Sequence, residues 1–196
     1  MSPTLSNIDL PGFADPVAQA QASFRALLDA MARPGTIATA GQGLTPPAPL
    51  DPATAAVLLT LVDGDARLHL TPDCAAARDW LVFHCGTTPC DDSASAGFVA
   101  TRTMPDLAHL ATGTDEAPES SATLVLQVLA LGSGPAFRLA GPGLKAPAIF
   151  RAEGLPPDFA ARWAANHALF PRGIDLVLCA GTALAAIPRS ITVTEA

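Results

Sequence analysis

An aspartate followed directly by proline, at Asp15-Pro16 and again at Asp51-Pro52, constrains this chain more than any other feature. Aspartate is a preferred N-cap, and proline suits the first helical position because no intrahelical partner waits there for an N–H. Each pair therefore opens a helix. After Pro16, residues Val17, Ala20, Phe24, Leu27, Leu28 and Met31 recur at helical spacing, which predicts one buried stripe. Arg33-Pro34-Gly35 stops that helix, since a residue before proline leaves the α region. From Pro52 to about Val62 the chain is mostly apolar, which predicts a helix buried nearly all round. Thr71-Pro72 opens a third helix to about His84, and Met104-Pro105-Asp106 a short one ending at Gly113. Pro157–Phe170 reads as the last, with Phe159, Trp163 and Phe170 on one face.

Short apolar runs alternate with these helices. Thr36–Ala40, Ala66–Leu70, Gly97–Thr101 and Ile174–Ala180 read as strands. Leu124–Leu131 is a nearly continuous apolar run, as a central strand requires. It turns through Gly132–Pro135 into Ala136–Ala140, which predicts a hairpin. Cys85–Ser95 and the acidic Thr114–Ser121 are loops, and Leu184–Val193 is an irregular or extended close. The order points to an α/β fold, a mixed β-sheet covered by helices.

At 196 residues the chain suits one domain, with at most a small added lobe. Only 15% of residues are charged against 49% apolar, a lean surface that favours cover by another chain, a homodimer first. The net charge of −7 argues against nucleic acid, whose phosphates need a basic face. No apolar stretch reaches the ~18 residues of a membrane span, and Met1–Leu10 lacks the pattern of a signal peptide. Cys74, Cys85, Cys90 and Cys179 have no disulfide-framework spacing and suit reduced thiols in a cytoplasmic protein.

No familiar catalytic set emerges. His84-Cys85 with Cys90 lacks the paired spacing of a zinc site, so no metal is expected. Gly132-x-Gly134 and Gly141-x-Gly143 are turns rather than phosphate loops, and no Gly-x-Ser-x-Gly elbow is present. Lys145, the one lysine, follows a Gly-Pro-Gly turn and reads as solvated. The arginines hold more interest. Arg33, Arg172 and Arg189 stand at element ends, where guanidinium groups can grip an anion in two-pronged fashion. The alternative is ion pairing: Asp29 and Arg33 stand an i,i+4 pair apart, and Asp175 is within reach of Arg172. Arg33, Arg172, Asp175 and Arg189 are therefore candidates for an anion site or an interface.

Several segments in order resemble one family. They are Gly12-Phe13-Ala14-Asp15-Pro16-Val17, Phe24-Arg25 with Leu27-Leu28-Asp29-Ala30-Met31-Ala32-Arg33-Pro34-Gly35, and Ala55-Ala56-Val57-Leu58-Leu59-Thr60-Leu61-Val62-Asp63. Phe170-Pro171-Arg172-Gly173-Ile174-Asp175-Leu176 and Leu184-Ala185-Ala186-Ile187-Pro188-Arg189 complete the series. This chain resembles the PhnH family of the bacterial carbon–phosphorus lyase system. The resemblance implies a single domain over residues 11–193 behind an N-terminal tail at 1–10. It implies a fold like part of a pyridoxal-dependent transferase without the Schiff-base lysine, and no cofactor. It also implies an accessory, non-catalytic subunit joined to the G, I and J subunits. That complex supports transfer of a ribose triphosphate from a nucleoside triphosphate to an alkylphosphonate. A stand-alone phosphate- or phosphonate-binding protein or small enzyme, recognising its ligand through the arginines, is the alternative.

Overall fold

In α1 (Pro16–Ala32) the cap expected from the sequence is in place: Asp15 accepts a hydrogen bond from the Ala18 N–H at 3.0 Å, with Pro16 at the first helical position. This computed structural model describes residues 7–196, so most of the expected tail at 1–10 lies outside the described residues. The buried face of α1 differs from the predicted stripe. Ser23, Leu27 and Ala30 are buried, whereas Val17, Phe24 and Leu28 are 81%, 48% and 56% exposed. Small side chains on the inner face let α1 lie close against α2 (Pro52–Leu61) and the sheet. Helical periodicity marks apolar positions but cannot choose between a face of large residues and one of small ones.

Helix α2 is buried from Ala53 to Leu58, as its composition predicts. Its start is organised differently from that of α1. The Asp51 side chain makes no cap bond; Oδ2 accepts from the Gly181 N–H at 2.8 Å instead. The Asp51 N–H donates to Gln127 Oε1 at 2.8 Å. Gln127 also accepts from the Thr54 hydroxyl and donates to the Pro49 carbonyl. A buried amide thus ties the start of a helix to the end of a strand.

The larger sheet has seven strands in the order β1-β9-β8-β5-β4-β2-β3. These are β1 (Ala38–Thr39), β2 (Arg67–Leu70), β3 (Thr88–Pro89), β4 (Phe98–Thr101), β5 (Thr123–Gln127), β8 (Asp175–Ala180) and β9 (Ala183–Ile187). Strands β3, β2, β4, β5 and β8 run parallel, while β9 is antiparallel to both β8 and β1. Parallel strands covered on both faces need apolar side chains on both, and β5 meets that need. Val125 faces the core shared with α1, α2 and α3 (Arg78–Cys85), and Leu124 and Leu126 face the opposite core. That second core is roofed by α4 (Phe159–His167) and a smaller, three-stranded antiparallel sheet.

The predicted hairpin takes another form. Strand β5 ends at Gln127, and β6 (Ala130–Ala140) is a single strand of the smaller sheet, paired with β7 (Ala148–Glu153) and β10 (Thr192–Glu195). Gly132 and Gly134, expected to turn the chain, instead bend β6 at a register shift between Leu131 and Ala136. Gly134 has φ +82°, and a Cβ there would lie 2.9 Å from Glu153 Cα, so the position requires glycine. Strand β7 follows the true turn at Gly141–Pro147 and was missed in the sequence.

Other boundaries shift as well. Helix α3 begins at Arg78 behind a 3-10 turn, Ala75–Ala77, and the helix expected after Met104 is one 3-10 turn, Leu107–His109. Phe159 and Trp163 are buried under α4, with Trp163 Nε1 donating to the Ile191 carbonyl, but Phe170 lies past the helix end and is exposed. The segment read as irregular or extended from Leu184 is extended, forming β9 and then β10. No described helix is long and apolar enough to cross a membrane.

Candidate functional site

The sequence-derived residues fall in two places. Arg33 closes α1 and pairs with Asp29 at 2.6 Å, both side chains in solvent. Asp175 and Arg189 meet at the start of β8 and just past β9. Arg189 Nη2 lies 2.5 Å from Asp175 Oδ2, Nε donates to Oδ1, and the Arg189 N–H donates to Oδ1 at 2.8 Å. These side chains are only 15% and 19% exposed. Arg189 Nη1 also donates to the Pro118 carbonyl at 2.7 Å. The expected pairing of Asp175 with Arg172 is therefore corrected. Arg172 instead sets Nε 3.2 Å from Asp115 Oδ1, at an angle that forms no hydrogen bond. Both arginines thus fasten the acidic loop between Thr112 and Ser121, which the Gly173 N–H also holds through the Thr112 carbonyl.

The thiols and the lysine are elsewhere. Burial pushes the thiols of Cys74, Cys85 and Cys179 up to about 12, with the Asp73 charge adding to the effect at Cys74. Such thiols stay protonated and are poor nucleophiles. Lys145 is exposed in the connection between β6 and β7. Among the described residues no cluster of three or more His, Cys, Asp and Glu side chains could hold a metal ion.

A crevice does form where sheet topology predicts one. The connection from β2 leads to β3 on one side, and that from β4 leads to β5 on the other. Connections that part in this way leave a gap above the carboxyl ends of the two strands. Here the gap is a cavity of about 250 Å³ lined by Asp73, Arg102, Thr103, Gln127 and Leu129. Asp73 follows β2 and Arg102 follows β4. The Arg102 N–H donates to Asp73 Oδ2 at 3.1 Å, and the Thr71 hydroxyl donates to Oδ1. Burial would raise the Asp73 carboxyl, but hydrogen bonds from Thr71, the Arg102 N–H, Thr103 and Cys74 outweigh it and hold it below its ordinary value. Asp73 and Arg102 were missed in the sequence because nothing local says that β2 and β4 are neighbours.

Comparison with known proteins places this architecture. Residues 11–194 match the family described as bacterial phosphonate metabolism protein (PhnH). The chain belongs to the PhnH family. A relative in Rhizobium meliloti (strain 1021), named alpha-D-ribose 1-methylphosphonate 5-triphosphate synthase subunit PhnH, is 43% identical over 94% of this chain and 95% of its own length. A candidate C-P lyase subunit of Stutzerimonas stutzeri, HtxG, is 31% identical over 87% of this chain and 83% of its own. Both relatives are named as subunits. The PhnH match spans α1, both sheets and α4, so the crevice and the Asp175–Arg189 pair lie within it.

Proposed function

We propose that this chain is an accessory subunit of the carbon–phosphorus lyase core complex, with no reaction of its own. There it supports transfer of a ribose triphosphate from a nucleoside triphosphate to an alkylphosphonate. The observation that carries the reading is the 43% identity, over nearly all of both chains, to a synthase subunit. The surface supports it: Val17, Phe24 and Leu28 on α1, Phe83 on α3, Leu129 and Phe170 are large apolar side chains left in solvent. Partner chains of the G, I and J kind would cover such positions, and the chain alone would pair with itself. Residues 11–193 form its single domain. Cytoplasmic residence suits its unpaired cysteines.

The candidate arginines fit this reading as braces and contact points. Asp175 and Arg189 hold the acidic loop, Arg172 steadies it, and the exposed Arg33 is available to a partner. An arginine-based anion site is less well served, because Arg33, Arg172 and Arg189 each already face a carboxylate. The likeness to part of a pyridoxal-dependent transferase draws support from the largely parallel seven-stranded sheet, and the exposed turn position of Lys145 suits a fold without a Schiff-base lysine.

Co-expression of the tagged chain with its cognate G, I and J subunits tests the assembly. Stoichiometric co-elution is the expected result. Recovery of this chain alone, or turnover of a nucleoside triphosphate with methylphosphonate by the isolated chain, would overturn the accessory role.

A further inference from the structure

The crevice above β2 and β4 has a charge arrangement that selects a kind of ligand, whatever the chain assembles with. Its lining offers a single cation, Arg102, and a single anion, Asp73. Arg102 is exposed, and its guanidinium makes no hydrogen bond or ion pair among the described residues. Asp73 is the opposite case. Its oxygens accept from the Thr71 hydroxyl and the Arg102 N–H, and the Thr103 and Cys74 side chains also bear on it, so the carboxylate is held in one orientation. The Gln127 amide is spent on Asp51, Thr54 and Pro49 and offers the crevice little. Leu129, largely exposed, forms an apolar wall on the rim.

These features exclude simple ligands. A bare anion drawn to Arg102 meets the fixed Asp73 carboxylate, and a bare cation drawn to Asp73 meets Arg102. A molecule with an anionic group at one end and hydroxyl donors at the other satisfies both. The volume, about 250 Å³, falls below the ~300–1,000 Å³ of drug-sized sites and suits a molecule of about pentose size. We propose that this crevice binds a small hydroxylated anion, with Arg102 gripping the anionic group and Asp73 accepting from the hydroxyls. Thr103 stands beside them, and Leu129 borders the contact at the rim. The site comes from one chain and does not depend on the assembly proposed above.

Calorimetry on the isolated full-length chain tests it, with ribose 5-phosphate and gluconate as probes and inorganic phosphate and ribose as the separate halves. Ribose 5-phosphate or gluconate is expected to bind at least about tenfold tighter than either half. Which of the two is tighter identifies the anionic group as phosphate or carboxylate. Arg102→Ala is expected to abolish binding and Arg102→Lys to retain part of it, because a point charge replaces a fork. Asp73→Asn should erase the preference over inorganic phosphate. Absence of heat with both probes up to about 10 mM would overturn the proposal. So would binding that survives Arg102→Ala, a change at an exposed side chain that leaves the fold intact, or phosphate binding as tight as that of ribose 5-phosphate.

Discussion

Asp175 and Arg189 carry more structural weight than surface charges do, because they are largely buried and joined by several charge-assisted bonds. Removing one partner leaves the other desolvated and unpaired. Arg189→Ala is therefore expected to destabilise the chain by about 2–3 kcal/mol, read from urea unfolding, and to loosen the loop that Pro118 anchors. Arg33→Ala, whose pair lies in solvent, should change stability by less than about 1 kcal/mol. Phe24 reverses its expected role. As a predicted core residue, Phe24→Ala would cost about 3–5 kcal/mol, but at 48% exposure it should cost under about 1 kcal/mol. Trp163→Ala, fully buried and bonded to Ile191, should cost about 3–5 kcal/mol. Asp73 adds a dependence on pH. Its folded carboxyl lies below the ordinary value, despite burial, because of the bonds it accepts. A depressed carboxyl contributes stability above the unfolded value of about 3.9 and loses it as pH falls through the folded one. Asp73→Asn should accordingly shift the urea midpoint more at pH 7 than at pH 3; equal shifts would show that the charge contributes nothing.

Among the elements, α2 and β6 show how a few side chains settle what periodicity leaves open. Helix α2 is held by Gln127, which reaches from the end of β5 to Asp51, Thr54 and Pro49. Gln127→Leu strands an N–H and a hydroxyl in the interior, and a loss of about 2–3 kcal/mol is expected in thermal or urea unfolding. In the sequence Gln127 merely interrupts an apolar run, and a long-range bond of this kind leaves no local trace. The helix starts were legible because caps and prolines act within a turn: Asp15 bonds Ala18 as its type and position imply. The hairpin was misplaced because glycines at positive φ serve a turn and a bulge equally well. Only the pairing of β6 with β7 decides between them.

For the whole molecule, the exposed Val17, Phe24 and Leu28 leave the outer face of α1 apolar. If partner subunits cover this face, a Phe24→Asp, Leu28→Asp double variant will keep its thermal midpoint within a few degrees yet fail to co-elute with the G, I and J subunits. Retention of the complex would move the interface to another surface. The same pattern explains a misreading of the core. On α1 the larger side chains point outward, so the rule that large apolar residues face the core fails there.

Local chemistry in the sequence determined the starts of α1 and α2, the full burial of α2, the strand identity of β2, β4, β5 and β8, and membership of the PhnH family. Each rests on interactions within a few residues or on motif order along the chain. Tertiary structure alone decided which face of α1 is buried, that β6 belongs to a second sheet, and that Arg189 rather than Arg172 holds Asp175. It also brought Asp73 and Arg102, 29 residues apart in the chain, to one crevice. Those outcomes depend on strand order, and strand order is a property of the packed sheet that no short stretch of residues encodes.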